Sequence, residues 1–203
     1  MLRVYYASIL GLPDSGEGMP LSEYRKNKLN RLRTEQGRKQ SIGAELLLIR
    51  ALLELDRDFE LPLRIEADTF GKPHLSDSAP FFNLSHSGDF VACALADVPL
   101  GLDLQKKSPY REKMVSRFFS ADEKCQILSA EDADDAFTEI WTKKESYLKA
   151  VGCGIRVPLN SFSSLCLPDG YCCWHTMIGE YHLSLCSRGF VPIPGLIKEE
   201  TLP

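Results

Sequence analysis

The sequence contains no apolar run long enough to cross a bilayer, so no membrane-spanning helix is expected. It also lacks an excess of positive charge. Lys and Arg number 24 against 28 Asp and Glu, for a net charge of −4, so no general affinity for nucleic acid is implied. No CxxC pair and no His-rich zinc spacing occurs among the seven cysteines, at 93, 125, 153, 166, 172, 173 and 186. An odd, scattered set argues for reduced thiols acting as small apolar side chains. Reduced thiols in turn point to the cytoplasm. Residues 1–12, with Arg3, Tyr5, Tyr6 and Ser8 among the apolar ones, are too short and mixed to read as a secretory signal. Close repeats and low-complexity segments are absent as well. What remains is a chain of 203 residues, 44% hydrophobic and 26% charged. That is enough for one sizeable core or two smaller lobes.

Residues 2–10 read as a first strand, and 11–20, rich in Gly, Pro and Asp, as a loop. Ser22 can cap a helix running into the low thirties. Between 25 and 39 lie seven basic residues, Arg25, Lys26, Lys28, Arg31, Arg33, Arg38 and Lys39, opposed only by Glu35. This cluster is either a solvated helix face or an anion site that needs several charges. Arg25 and Lys28 share a face by i,i+3 spacing. Residues 41–55 are apolar nearly all round and read as a buried helix. Phe70-Gly71-Lys72-Pro73 reads as a stiff turn that holds Lys72 out and bares its backbone to a ligand.

Residues 81–87 alternate as a short strand ending in Ser85, His86 and Ser87. After Gly88-Asp89 comes an apolar strand at 90–96, then a turn at Asp97-Val98-Pro99. On the next strand, 100–105, Leu100, Leu102 and Leu104 face one way while Gly101, Asp103 and Gln105 face the other. Gly101 leaves that second face open to approach. Residues 111–128 have helical spacing, with Ser120 and Glu123 forming a capping box ahead of Ala121. Strands are expected at 161–167, 171–178 and 181–186. Asp169-Gly170 is the stronger hairpin signal and Gly179-Glu180 the weaker. The tail, 192–203, reads as extended and loosely held. Helices and a small antiparallel sheet in each half make the class α+β.

The helix centred on WTKKESYLKAVG (141–152) organises the rest. Phe137, Trp141, Lys144, Leu148 and Val151 form one stripe, apolar except for Lys144. Asp132, Asp134 and Asp135 crowd its first turn, where the helix dipole favours carboxylates. Gly152 and Gly154 end it. Glu145 and Lys149 lie four apart on one flank, either as an i,i+4 pair or at a site.

Five motifs taken together, FGKP (70–73), FNLSHSGDF (82–90), GLDLQ (101–105), RFFSADE (117–123) and WTKKESYLKAVGCG (141–154), resemble the Sfp-type 4′-phosphopantetheinyl transferases in order and spacing. The resemblance runs from about residue 70 to 167 and is fainter through 25–39. It implies the fold of that family, two similar α+β halves about a pseudo-twofold axis, here 1–97 and 98–203, with coenzyme A in the cleft between them as one functional unit. The implied reaction moves 4′-phosphopantetheine from coenzyme A to a serine of an apo acyl or peptidyl carrier protein and releases 3′,5′-ADP. Mg²⁺ is the implied cofactor, since phosphoryl transfer rests on positioning and charge stabilisation. The protein is then a monomer acting on coenzyme A and a carrier, with neither nucleic acid nor membrane as partner. A non-catalytic member that binds nucleotide or carrier is the alternative.

Residue by residue, the resemblance puts Asp103 and Glu145 on the metal, and makes Glu145 the general base. Lys149 goes to the pyrophosphate. Lys72 falls near the nucleotide, with Phe70, Gly71 and Pro73 lining the adenine. Ser85 and His86 contact the phosphates, and Glu123 is of secondary importance. Arg38, or Lys39 beside it, fills a basic position, and Arg25 and Lys28 resemble a 3′-phosphate clamp. Gln105 stands where the family commonly has Glu. A neutral amide is a weaker Mg²⁺ ligand, which leaves a water in that position as the alternative.

Overall fold

The computed structural model describes residues 1–55, 59–76, 80–152, 154 and 157–203. The chain divides into two compact units: Met1–Val98 with Pro194–Pro203, and Pro99–Ile193. Among the described residues no helix is long and apolar enough to cross a membrane.

The first unit opens with β1 (Leu2–Ser8), followed by α1 (Glu23–Leu29) and α2 (Glu35–Leu53). The side chain of Ser22 caps α1 by accepting from Arg25 N–H. The helix expected to run into the low thirties stops at Leu29, because Arg38 Nη1 takes the Leu29 carbonyl at 2.9 Å and Thr34 caps a new helix through Gly37 N–H. The buried helix thus begins six residues earlier than its apolar run. β2 (Ile65–Ala67) and β3 (Pro73–Leu75) pair in a small ribbon. β4 (Phe81–Ser87) and β5 (Phe90–Ala96) form a hairpin, and β9 (Leu196–Glu200) returns from the end of the chain. The strand order is β4-β5-β1-β9. β1 is antiparallel to β5 and parallel to β9. The core of this unit packs α2 residues such as Ile42, Leu47, Leu48 and Leu52 with Tyr5, Ala7, Val91, Cys93 and Leu95 of the sheet.

The tail therefore departs from expectation. Leu196–Glu200 is an edge strand of the first unit, although 98–203 read as a single half. Lys198 pairs with Glu54 and Glu200, and Glu200 also pairs with Arg50. Backbone pairing and these charges hold the tail, neither of which a loose, polar reading anticipates.

The second unit holds β6 (Leu100–Lys106), α3 (Glu112–Phe118), α4 (Ala121–Ser129), α5 (Ala133–Val151), β7 (Tyr171–Ile178) and β8 (Tyr181–Arg188). Its strands run β6-β8-β7, all antiparallel. The path repeats that of the first unit. A strand leads through short helical pieces to a helix of 19 residues, then to a hairpin whose second strand pairs with the first strand. The apolar stripe of α5 meets α3 and α4 through Phe137, Ile140, Val115, Phe119 and Ile127. Farther along it meets Leu159 and Phe162 through Tyr147 and Leu148.

The strand expected at 161–167 is instead a 3-10 turn, Leu159–Ser161, and an isolated Ser163–Cys166 bridge. Its backbone groups are claimed elsewhere: Ser164 N–H donates to Glu123 Oε1 at 2.7 Å, and the Phe162 carbonyl accepts from Lys144 Nζ at 2.8 Å. The two turn signals consequently exchange roles. Gly179-Glu180 makes the β7–β8 hairpin, while Asp169-Gly170, both at positive φ, only leads into β7.

Candidate functional site

In the second unit the site is built where α5 lies on β6. The strand alternates as its sequence implies: Leu100, Leu102 and Leu104 are buried on one face and Gly101, Asp103 and Gln105 share the other. The Gly101 face is not open, however. A Cβ placed on Gly101 would lie 1.9 Å from the Ser146 carbonyl oxygen and 2.4 Å from the Ala150 nitrogen. The missing side chain admits the backbone of α5 itself. That close seating brings Lys149 Nζ to 2.7 Å from Asp103 Oδ1 and 2.9 Å from the Leu102 carbonyl oxygen. The Lys149 ammonium therefore pairs across to the strand, where the sequence suggested a helix-surface pair with Glu145.

Glu145 is half-buried. Burial, and next the Asp103 charge, hold its carboxyl above the usual value, against the opposing pull of Lys149. Among the described residues it forms no hydrogen bond or ion pair, which leaves its oxygens available to a cation or a proton donor. Gln105 lies two residues beyond Asp103 and lines a pocket with Arg111, Met114, Phe137, Thr138 and Trp141.

Helix α5 meets this sheet with a polar stripe that the sequence reading missed. Asp135, Glu139, Thr142, Ser146 and Lys149 follow helical spacing on the side opposite the apolar stripe. Across from them, in register, lie Asp103–Ser184–His175 and Gln105–His182–Met177. His175 Nε2 and His182 Nδ1 share a hydrogen bond at 3.1 Å, and His182 Nε2 faces Asp135 Oδ1 at 3.3 Å. Burial lowers the pKa of both imidazoles, that of His175 to about 4. Ser184 Oγ is buried without a hydrogen-bond partner among the described residues. The i,i+4 and i,i+7 polar spacing was visible in the sequence, but strength of an apolar stripe gives no sign that the opposite stripe is covered as well.

Glu123 and Lys144 are a second omission. Both are wholly buried and paired at 2.7 Å. Glu123 Oε2 also accepts from Ser120 N–H at 2.8 Å. The capping box is thus one end of a buried ion pair, and the single charge in the apolar stripe is its partner.

The first unit brings the remaining candidates to a different environment from the one expected. The FGKP turn is closed by Asp68, whose Oδ1 accepts from Phe70 N–H at 2.8 Å and Lys72 N–H at 2.9 Å. An Asp that folds back on the next residues was a legible turn signal. Lys72 is half-buried rather than held out, and burial lowers its pKa while Asp68 opposes this. Phe70 is exposed, Gly71 adopts positive φ, and Pro73 starts β3. Ser85 is buried and His86 exposed, so the pair expected to act together splits across β4 by simple alternation.

The basic cluster is divided. Arg25, expected in a phosphate clamp with Lys28, is 3% exposed and bonded to Glu45 at 3.0 Å and Ser41 at 3.1 Å. Its guanidinium is committed inside the unit, whereas Lys28, one turn on, is exposed. Arg38 ties the Asp14 carbonyl to the end of α1, and Lys39 pairs with Glu35.

Comparison with known proteins puts this geometry in a family. The sequence profile described as ACPS, 4′-phosphopantetheinyl transferase superfamily, matches residues 99–190. The chain is 37% identical over 131 residues to the 4′-phosphopantetheinyl transferase Sfp of Bacillus subtilis strain 168, covering 61% of this chain and 57% of Sfp. It is 31% identical over 153 residues to the 4′-phosphopantetheinyl transferase ffp of Bacillus subtilis, covering 74% and 68%. To the 4′-phosphopantetheinyl transferase psf-1 of Bacillus pumilus it is 36% identical over 138 residues, covering 65% and 58%. The chain thus spans between about half and two thirds of the length of these relatives. With these relatives, the chain belongs to the Sfp-type 4′-phosphopantetheinyl transferase family.

Proposed function

We propose that this protein transfers the 4′-phosphopantetheine group of coenzyme A to a serine hydroxyl of an apo acyl or peptidyl carrier protein and releases 3′,5′-ADP. The observation that carries the reading is the Asp103–Lys149 pair beside Glu145, a carboxylate left without a hydrogen bond or ion pair among the described residues. Glu145 takes the proton of the carrier serine as general base. Its raised pKa makes it a stronger base than an exposed carboxylate. Lys149 meets the pyrophosphate and steadies the departing 3′,5′-ADP. Lys72, Ser85 and His86, with Lys28 and Arg38, serve the phosphates and nucleotide, while Phe70, Gly71 and Pro73 line the adenine. Arg25 stays outside this set because its charge is already matched by Glu45. The reading keeps a cytoplasmic monomer as the working form; the described cysteines are free thiols, which supports a reducing compartment.

The residues fit a hard divalent cation. Asp103 and Glu145 supply oxygen ligands, and the Asp103 charge contributes to the lifted pKa of Glu145. Two such carboxylates favour a cation between them. Ser184 Oγ adds a buried oxygen without a hydrogen-bond partner, opposite Asp103 in register. Mg²⁺ held there supplies charge neutralisation for the carboxylates and the pyrophosphate. Gln105, on the same strand face, acts through a water.

The test is incubation with coenzyme A, Mg²⁺ and apo carriers of the fatty-acid, polyketide and peptide-synthetase classes, followed by intact mass measurement of each carrier. A phosphopantetheine increment is expected on at least one. Coenzyme A binding without the increment identifies a non-catalytic binder and refutes transfer, and absence of both binding and increment sinks the reading altogether. Glu145→Gln is expected to lower transfer at least ~100-fold, the scale of general-base catalysis, while coenzyme A binding changes little. Asp103→Asn is expected to raise the Mg²⁺ requirement. Near-normal turnover in the first variant, with unchanged Mg²⁺ dependence in the second, refutes these roles.

A further inference from the structure

Beneath α5, one row along the sheet from Asp103–Ser184–His175, two thiols share the covered face. Cys173 on β7 and Cys186 on β8 stand directly opposite each other in register. Cys186 is fully buried, while Cys173 is partly exposed. Cys173 Sγ lies 3.6 Å from Ser146 Oγ and 3.8 Å from the Lys143 carbonyl oxygen. Opposed residues on antiparallel strands place their Cα atoms ~4.5–5.5 Å apart, inside the window of about 4.4–6.8 Å that disulfides use. Neither thiol is needed for the reading above.

We propose that Cys173 and Cys186 are an oxidisable dithiol that closes to a cross-strand disulfide when a peroxide reaches Cys173. The Cys173 thiolate attacks one peroxide oxygen and becomes a sulfenic acid as the other oxygen leaves as hydroxide or alkoxide. Cys186 then attacks the sulfenic sulfur, the S–S bond forms, and its proton leaves with the displaced oxygen as water. The roles follow from position. Cys173 is the less buried residue of the two, and Cys186, wholly buried, serves as the resolving thiol. Hydrogen bonding with Cys186 lowers the pKa of Cys173, against the opposing effect of burial.

Closure has a structural consequence. Cys173 donates to the Lys143 carbonyl and contacts Ser146 Oγ, and these two residues bracket Glu145 on α5. A disulfide sulfur has no proton to donate, so this turn of α5 loses an attachment to the sheet. The thiol state is thereby linked to the turn that presents Glu145. The inference does not depend on the transferase reading, because it is tested without substrate.

The experiment treats the reduced protein with hydrogen peroxide at low molar excess. Intact mass and chymotryptic fragments are then measured under non-reducing conditions. Chymotrypsin cuts after Trp174 and Tyr181 and so separates the two cysteines. Loss of two hydrogens, with one fragment joining Cys173 to Cys186, is expected. The loss should vanish in Cys173→Ser and in Cys186→Ala and persist in Cys172→Ser. Hydrogen exchange of residues 143–149 should quicken several-fold on oxidation and return on reduction. The fragment map needs no variant, so a variant that folds poorly does not spoil the test. Absence of the bridge, a bridge through other cysteines, or a bridge with unchanged exchange in α5 would overturn the proposal.

Discussion

At the scale of single residues, each unit holds an ion pair in its interior. Arg25–Glu45 and Glu123–Lys144 are both wholly or nearly buried, and both join a short helix to the long helix of their unit. The signs are reversed, with the cation on the short helix in the first unit and on the long helix in the second. Removing one member leaves its partner buried without compensation, at a cost of about 3–5 kcal/mol. Arg25→Ala is therefore expected to lower urea-unfolding stability by that order, and its folded fraction should bind coenzyme A with little change. Weaker coenzyme A binding at unchanged stability would instead return Arg25 to the phosphate clamp. The His175–His182 pair adds a pH dependence. Burial brings the pKa of His175 to about 4, from 6.5 when unfolded. Between these values the unfolded chain binds more protons than the native one, so stability rises with pH. The contribution is present above pH 6.5 and is lost as pH falls toward 4, on the order of 2–3 kcal/mol. Unfolding free energies at pH 7 and pH 5 should differ in that direction, and His175→Gln should reduce the difference.

At the scale of elements, the determining contact is α5 on β6. The helix is amphipathic twice over. Its apolar stripe meets α3 and α4, and its polar stripe covers the polar face of the sheet. Gly101 sets the distance between them. A methyl group there would strike the Ser146 carbonyl and the Ala150 nitrogen, which are main-chain atoms that cannot rotate away. Overpacking of this kind costs ~1–3 kcal/mol, and more where backbone must shift. Gly101→Ala is expected at or above the top of that range, and to separate Lys149 from Asp103. Thermal unfolding and the pH-rate profile should change together, because the same displacement alters the charges around Glu145. A well-folded Gly101→Ala protein with normal unfolding temperature would contradict the seating described.

At the scale of the whole chain, the end of the sequence completes the unit that the beginning starts. β9 pairs with β1 in parallel, with Arg3 opposite Leu196. Lys198 links the strand to Glu54 just past α2. Without β9, β1 would become an unpaired edge, open to pairing with other chains. Deleting residues 194–203 is therefore expected to speed hydrogen exchange in β1 and promote association, while exchange in β6, β7 and β8 stays unchanged. Equal loss of protection in both units would show that the tail supports more than its own sheet.

The sequence by itself determined the class, the two long helices and most strands. Periodicity of 2 and 3.6, caps and glycine stops are local and survive without any tertiary contact. Asp103 and Glu145 were singled out by the family resemblance, while their places on one strand and one helix followed from local pattern. Only the tertiary structure decided the partners. Whether Lys149 pairs with Glu145 four residues away or Asp103 on another element depends on how closely α5 approaches β6, and Gly101 sets that approach. The burial of Arg25, the route of residues 159–166 around Glu123 and the return of the tail to β1 likewise depend on which charged and backbone groups meet across long separations. Sequence spacing restricts such meetings weakly, because a loop can bring many positions together, whereas desolvation rejects nearly all arrangements that leave a buried charge or peptide group without a partner.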